Sequence, residues 1–442
     1  MKVKILSRNP DDYIRETKND IHKIKRNYDP ALHPFDVARE YTRALNAIKL
    51  ERVLAKPFMY SLDGHNDGIQ CMLKHQTSLS LLFSGAYDGE IRMWNLANQK
   101  CLKAVQAHDG IVRGLCMPND GSRLLSVGDD KVVKHWSLEE PALTEPIEAI
   151  VMKTVVSGID HHRKQSMYAT CGEKVDIWES TRSEPLRSLT WGVDTVKFIK
   201  FNPIEVNIFG CTCSDRSIVL YDVREANPLR KVTMDLCSNA ISWNPMEAFV
   251  FVSASEDYNL YSFDMRKLTM PLQIHKDHTS AVLDVDYSPT GKEFVSGSYD
   301  KTIRIFPQKS GRSRDVYHTK RMQRLTSVLW SLDNKYILTG SDEMNIRMWK
   351  AKASEKLGSM SYRERMALNH AEKLKEKFGR HPQVQRIARH RHVPKHVYNA
   401  AKEHRTIIES KKRKEANRRA HSKPGTVPYV SERVKHIVQE EE

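Results

Sequence analysis

The sequence predicts an all-β fold, a seven-bladed β-propeller, with a short N-terminal strap and a basic, mostly helical C-terminal extension. The first observation is a repeat in which strand-like runs end at an aromatic residue: Trp94, Trp136, Trp178, Tyr221, Phe263, Phe306 and Trp349. Successive aromatic residues lie 42 or 43 residues apart. This spacing falls within the roughly 40–45 residues of a WD40 blade, which contains four antiparallel strands.

The second observation is a polar pattern inside each unit. An acid lies six residues before the aromatic in six units: Asp88, Asp130, Asp215, Asp257, Asp300 and Glu343. A small hydroxyl residue lies ten before it in five units: Ser84, Ser126, Ser253, Ser296 and Thr339. A histidine lies 28 or 29 before it in three units: His65, His108 and His278. Buried polar groups require partners, so the pattern predicts chains of hydrogen bonds inside the blades.

The third unit departs from this pattern, and the last unit is incomplete. Gly172 stands where the third unit should have its acid, and the unit is one residue short around Cys171. The last unit stops at its third strand, which ends at Trp349. We expect the apolar run at 57–62 to supply the missing outer strand, because this pairing would remove an exposed edge. The predicted domains are a strap (1–56), a propeller (57–350) and a basic C-terminal domain (351–442).

The positive charge of the chain lies mostly outside the predicted propeller. The net charge is +16, and residues 351–442 carry 23 Lys and Arg against 11 Asp and Glu. Such segregation indicates an anionic partner, with nucleic acid as the first candidate. The apolar spacing predicts a short helix at 36–50, and charged helices are expected at 354–378 and 395–420.

The C-terminal segment is predicted to contact RNA. Its helices have too few apolar positions to form a core alone, so they must lie on another surface. Closely spaced cations, histidines and aromatics suit phosphates and unpaired bases. The candidate RNA-binding residues are Arg386, Arg389, Arg391, Lys395, Lys411, Lys412, Arg413, Lys414, Arg418 and Arg419. An acidic protein face remains the alternative partner of these cations.

The sequence contains no motif for catalysis, for a cofactor or for a metal. P-loop, nucleophile-elbow, zinc-protease and EF-hand patterns are absent. Asp160, His161 and His162 resemble a metal-ligating cluster, but a turn in the third blade is the preferred interpretation. The seven cysteines lack a C-x-x-C pair and are interpreted as reduced core residues. No apolar run reaches the roughly 18 residues of a membrane span, so the prediction is a non-enzymatic binding protein without a membrane segment.

The segments that flank the repeats resemble the Sof-type WD-repeat family. The motifs are RNYDPALHPFDVAREY before the propeller and ASEKLG, KLKEKF, RIARHRHVPK and HSKPGTVPYVSE after it. The resemblance implies a nucleolar scaffold of the small-subunit processome that associates with the U3 small nucleolar ribonucleoprotein, other processome proteins and pre-ribosomal RNA. It also implies a role in pre-ribosomal RNA processing and identifies the C-terminal segment as the Sof-like domain. Animal members are described as substrate receptors of a cullin-four ubiquitin ligase, which is the alternative function.

The alternative function has a correlate at the ends of two blades. Receptors of this kind bind the ligase adaptor through a W-D-x-R ending, and the nearest matches here are YDVR at 221–224 and FDMR at 263–266. Both replace Trp by another aromatic. The resemblance therefore implies four adaptor-binding residues: Asp222, Arg224, Asp264 and Arg266. The same Asp and Arg pairs could serve only to stabilise a turn.

Overall fold

The computed structural model describes residues 29–138, 143, 145–190 and 194–441. Two compact units are distinguished. The larger unit combines Pro57–Lys352 with Arg391–Glu442, and the smaller unit combines the described part of the first 56 residues with Ala353–His390.

The larger unit contains the seven antiparallel sheets that the repeat predicts. Strand β1 (Phe58–Asp63) precedes the first blade. Blade 1 consists of β2 (Ile69–Lys74), β3 (Leu81–Ala86), β4 (Glu90–Asn95) and β5 (Lys100–Gln106). Blade 2 consists of β6 (Val112–Cys116), β7 (Arg123–Gly128), β8 (Val132–Ser137) and β9 (Pro146–Val151). Blade 3 consists of β10 (Gly158–His161), β11 (Met167–Cys171), β12 (Val175–Glu179) and β13 (Arg187–Leu189).

The remaining blades follow in chain order. Blade 4 contains β14 (Val196–Phe201), β15 (Ile208–Cys213), β16 (Ser217–Asp222) and β17 (Pro228–Met234). Blade 5 contains β18 (Ser238–Trp243), β19 (Val250–Ser255), β20 (Asn259–Asp264) and β21 (Gln273–Lys276). Blade 6 contains β22 (Val282–Tyr287), β23 (Glu293–Ser298), β24 (Ile303–Pro307) and β25 (Asp315–Tyr317). Blade 7 contains β26 (Leu325–Trp330), β27 (Tyr336–Ser341) and β28 (Asn345–Lys350).

The predicted closing strand is confirmed. Strand β1 pairs antiparallel with β28, and the register places Phe58 opposite Trp349 and Asp63 opposite Asn345. Leu62 of β1 is buried in a cluster that includes Ile69 of blade 1 and Ile346 of blade 7. The closing strand thus joins the last blade to the core that it shares with the first.

The predicted hydrogen-bond chains are present in the propeller. In blade 2, His108 donates through Nδ1 to Asp130 at 2.9 Å and contacts Ser126 Oγ through Nε2 at 2.8 Å. Trp136 donates its indole N–H to the same Ser126 hydroxyl at 2.9 Å. Burial lowers the pKa of His108, which favours the neutral ring that can accept the Ser126 proton. The chain therefore satisfies polar groups that packing has removed from water.

Blade 3 has a shortened hairpin. Trp178 donates to Thr170 Oγ1 at 2.9 Å, and these two residues are eight apart in the chain. The matching pair in blade 1, Trp94 and Ser84, is ten apart. The hairpin between β11 and β12 is thus two residues shorter than in the other Trp-containing blades, whereas the sequence suggested a loss of one.

The smaller unit is helical. A short 3-10 turn (Pro30–Leu32) precedes α1 (Asp36–Val53), and α2 (Tyr362–Lys377) and α3 (Pro382–Arg389) follow the propeller in the chain. Helix α1 confirms the helix predicted at 36–50, while α2 begins later than predicted, at a capping box formed by Ser361 and Glu364. Helix α3 was not predicted. Apolar side chains from all three helices are buried: Ala44, Ile48, Leu374 and Val384.

The predicted C-terminal domain is divided between the two units. Residues 353–390 form helices with α1, whereas 391–442 belong to the same unit as the propeller. Helix α4 (Lys395–Ala420) matches the predicted bounds. Strand β29 (Ile437–Glu441) adds a fifth strand to blade 4, where Lys231 lies opposite Glu441. Each part has too few apolar positions to fold alone, and each obtains its packing from a different partner.

Candidate functional site

One face of α4 is used for contacts within the larger unit. Val397 is buried, the ring of His404 packs edge-on against Tyr258 with centroids 5.6 Å apart, and Lys412 forms an ion pair with Glu432. These positions recur at spacings that place them on one side of a helix. Hydrogen bonds from Lys412 and Lys276 hold the pKa of Glu432 at about 2. Glu432 therefore remains charged at neutral pH and links α4 to blade 5.

The candidate RNA-binding residues are divided between the two units. Arg386 and Arg389 belong to α3 in the smaller unit, where Arg389 lines a cleft of about 390 Å³ between the helices. The other candidates belong to the larger unit. Among them, Arg419 lies 4.9 Å from the ring centre of Tyr429, and Arg391 lies 4.0 Å from Asp315. Arg391, Lys412 and Arg419 are therefore engaged in contacts within the larger unit.

The remaining candidates of α4 are exposed: Lys395, Lys411, Arg413, Lys414 and Arg418. None of these five forms an ion pair with a residue that the structure describes. Lys411, Lys414 and Arg418 follow one another at spacings of three and four, which places them in one row beside the contact face. Exposed cations aligned in this way can reach successive phosphates of a nucleic acid.

Helix α4 has a second exposed row whose Lys402 and Arg405 were not among the predicted RNA-binding residues. Tyr398, Lys402 and Arg405 lie four and three residues apart, so they share the side of α4 opposite the first row. All three are exposed, and the Tyr398 side chain is 63% exposed. An exposed ring beside two cations can stack on an unpaired base. The helical spacing of Tyr398, Lys402 and Arg405 carried this signal in the sequence.

The two blade endings present their arginines outward. Asp264 accepts two hydrogen bonds from the Arg266 guanidinium at 3.1 and 2.8 Å, and a third from the Arg266 backbone N–H at 3.0 Å. Asp222 accepts from the Arg224 backbone N–H at 2.9 Å. The aspartates therefore stabilise the turns, while the side chains of Arg224 and Arg266 are 70% and 65% exposed.

The C-terminal strand reaches the second of these endings. The carboxylate of Glu440 accepts from the Leu268 backbone N–H at 3.2 Å and from Arg230 at 3.4 Å. Arg230 in turn donates to the backbone carbonyl of Arg266 at 2.6 Å. Strand β29 thus stabilises the turn that contains Arg266, and the sequence did not predict this contact.

Asp160 and His162 have structural partners. Asp160 accepts from Lys200 at 2.8 Å and from the Phe201 backbone N–H at 2.7 Å in blade 4. His162 accepts from the Gln165 backbone N–H at 2.9 Å within the turn after β10. These contacts agree with the structural interpretation of this cluster.

One group in blade 1 has the composition of a metal site. Side chains of His65, Asp88 and Glu90 bring potential ligand atoms within 4.8 Å of one another. Arg92 donates to Glu90 at 2.9 Å, so a guanidinium already supplies the positive charge there. Burial and this guanidinium lower the pKa of His65 to about 4. His65 also contacts Ser84 Oγ through Nε2 at 2.6 Å, so the group takes part in the contacts of the blade itself. Among the described residues, no helix has the length and apolarity to cross a bilayer.

Comparisons with known proteins agree with this architecture. The Sof1-like domain matches residues 351–437, and the WD domain, G-beta repeat, matches 56–95, 99–137, 269–306 and 316–350. The crystal structure of the WD40 beta propeller domain of Doa1 has a TM-score of 0.57 and 18% identity, and it covers 66% of this chain and 96% of its own. This likeness concerns the fold.

Relatives match over nearly the whole chain. DDB1- and CUL4-associated factor 13 of Xenopus tropicalis is 60% identical over 441 residues, and its human counterpart is 59% identical, each alignment covering 99% of both chains. Protein SOF1 of Saccharomyces cerevisiae is 44% identical and covers 99% of this chain and 94% of its own. The flanking motifs, the seven blades and these relatives together place the chain in the Sof-type WD-repeat family, to which it belongs.

Proposed function

We propose that this protein is a non-enzymatic scaffold of the small-subunit processome that acts in the nucleolus. In this role it associates with the U3 small nucleolar ribonucleoprotein, with other processome proteins and with pre-ribosomal RNA, and supports processing of that RNA. Membership of the Sof-type family and its flanking motifs support the proposal. The observation that carries it is the exposed cationic surface of α4.

Both cation rows of α4 are exposed, whereas its contact face packs against the rest of the larger unit. Lys411, Lys414 and Arg418 form one row, and Lys402 and Arg405 accompany Tyr398 in the other. Phosphate contacts fix position and carry no sequence information, so binding should depend weakly on RNA sequence. If about five cations engage single-stranded RNA, affinity should fall roughly 100-fold between 50 and 200 mM salt.

Neutralising the first row should weaken RNA binding and its salt dependence. In Lys411→Gln/Lys414→Gln/Arg418→Gln, loss of three phosphate contacts should reduce the slope of log K against log salt by about 2. Fluorescence anisotropy with a single-stranded fragment of pre-ribosomal RNA measures this slope. Because the three side chains are exposed, the melting temperature of the propeller should not change.

A matched variant controls for net charge. The control variant is Lys292→Gln/Lys309→Gln/Lys335→Gln, which removes three positive charges from exposed lysines of blades 6 and 7. It therefore has the same net charge as the α4 variant. This control should retain the wild-type slope. An unchanged slope in the α4 variant, with crosslinks from residues 391–442 found only to protein, would overturn direct RNA contact in favour of an acidic protein partner.

The second candidate function is that of a substrate receptor for a cullin-four ubiquitin ligase. Relatives named DDB1- and CUL4-associated factor 13 are, by that name, associated with DDB1 and CUL4. Two exposed arginines at adjacent blade endings support the same proposal for this chain, because arginine is enriched among residues that dominate binding energy. The function needs Arg224 and Arg266, whereas the RNA proposal needs the cations of α4.

Arg224→Ala/Arg266→Ala should abolish co-purification of DDB1 while RNA binding survives. The control is Arg182→Ala/Arg312→Ala, whose side chains are 63% and 74% exposed. Each control arginine also pairs with a neighbouring acid, so it matches the tested pair in exposure and contacts. If Arg224→Ala/Arg266→Ala recovers as much DDB1 as the wild type does, the two arginines do not bind this adaptor and only contribute to their turns.

A further inference from the structure

The larger unit contains a basic cleft over the shortened hairpin of blade 3. The cleft has a volume of about 410 Å³, and its walls come from blades 2, 3 and 4. Lys131 lies in the turn between β7 and β8, Lys153 precedes β10, and Lys197 lies in β14. None of the functions proposed above uses this cleft.

The hairpin turn of blade 3, at residues 172–174, differs in sequence from those of the neighbouring blades. In blades 2 and 4 the equivalent turn contains Asp130 or Asp215, each of which accepts a backbone N–H two residues later. Blade 3 has Gly172 instead, and a Cβ there would lie 2.5 Å from the carbonyl oxygen of Val155. The close backbone approach therefore excludes a larger residue at position 172, and the carboxylate of this turn is that of the next residue, Glu173.

The cations of the cleft are incompletely compensated. Arg113 is neutralised by Asp129 through contacts of 2.7 and 2.9 Å. Among the described residues, Lys197 pairs with Glu256 at 3.7 Å, and both side chains are about 40% exposed, so the pair contributes little. Lys131 and Lys153 are exposed and form no ion pair with residues that the structure describes. The described lining contains one carboxylate, Glu173, against four cations, so positive charge is in excess. An anionic ligand would supply the missing negative charge.

The lining of the cleft favours a peptide over RNA. None of its described lining residues is aromatic, so the described lining contains no platform on which an unpaired base can stack. It does offer the hydroxyl of Thr154 and the side chain of Val155, which is 42% exposed. Lysines on flexible stems act as point charges and suit carboxylates at varied positions. We propose that this cleft binds an acidic segment of a partner protein.

The probe for this proposal is a fluorescein-labelled peptide of alternating glutamate and serine. The protein should bind it more tightly than the matched peptide with glutamine in place of glutamate. Lys131→Glu/Lys153→Glu removes two attractions and adds two repulsions, so the dissociation constant should rise roughly tenfold or more. Lys131→Arg/Lys153→Arg should bind as the wild type does, since the charge is retained.

The charge-matched control is Lys292→Glu/Lys309→Glu on blade 6, which should bind the peptide normally. Equal affinity for the two peptides, or unchanged binding by Lys131→Glu/Lys153→Glu, would overturn the proposal. A third result would overturn it in favour of nucleic acid. In that case the same double substitution would weaken binding of single-stranded RNA and leave peptide binding intact. The α4 variants should bind the acidic peptide as the wild type does, which separates this site from the proposed RNA surface.

Discussion

Deleting residues 1–63 is expected to lower the melting temperature of the whole propeller by about 10 °C or more. The deletion removes β1, its hydrogen-bond ladder to β28 and the buried side chain of Leu62. A few net hydrogen bonds and one buried leucine together contribute on the order of 5 kcal/mol. Opening the ring also weakens contacts between blades, among them Lys74 with the carbonyl of Trp330 at 3.0 Å.

The matched control is deletion of residues 1–56, which removes α1 and leaves β1 in place. Tryptophan fluorescence reports the propeller in both variants, because all seven tryptophans lie between Trp94 and Trp349. The shorter deletion should leave this transition nearly unchanged. If both deletions melt alike, closure by β1 does not stabilise the ring.

Asp300→Ala is expected to cost about 3–5 kcal/mol in the free energy of unfolding at neutral pH. His278 donates to Asp300 at 2.9 Å and contacts Ser296 at 2.7 Å, and all three residues are buried. The Thr302 backbone N–H also donates to Asp300, at 2.9 Å. Removing the carboxylate leaves these donors without a partner in a site that water does not reach.

The matched control is Asp88→Ala at the same position of blade 1. Asp88 accepts the backbone N–H of Glu90 at 3.0 Å, and it is less buried than Asp300. Loss of this single hydrogen bond should cost about 1 kcal/mol. Urea unfolding of the three proteins measures both differences. Equal costs for the two substitutions would contradict the structural importance of the buried chain in blade 6.

The stabilisation by Asp300 should depend on pH. Burial alone would raise its pKa, but the charge and hydrogen bond of His278, with help from Arg304, hold the pKa well below 3.8. Because the folded value lies below the unfolded one, the contribution of Asp300 is present above about pH 4 and is lost as the pH falls through the folded value. The difference in the free energy of unfolding between the wild type and Asp300→Ala should therefore decrease only in strong acid.

The repeat in the sequence was sufficient to predict the ring. Spacings of 42 or 43 residues identified seven blades, and the incomplete last unit identified β1 as the closing strand. Helix α4 was predicted at its observed bounds for the same kind of reason. These features depend on local periodicity, on the number of strands in a blade and on the need to pair an edge, all of which a sequence displays.

Other features depend on which distant surfaces meet. The sequence predicted one C-terminal domain, yet residues 353–390 share a unit with α1 and β29 extends blade 4. It also selected Lys412 and Arg419 for RNA, although Glu432 and Tyr429 occupy these two cations. The sequence shows the charge of a side chain but does not show whether that side chain faces solvent or contacts a partner in the fold.

The sequence by itself determined the number of blades, the closing strand and the separation of a neutral ring from basic flanking segments. Only the tertiary structure decided which cations of α4 remain exposed, how Glu440 braces the turn of Arg266, and where the Gly172 hairpin leaves a basic cleft. The reason is physical: periodicity arises within each repeat, whereas availability for a partner depends on contacts between residues far apart in the chain.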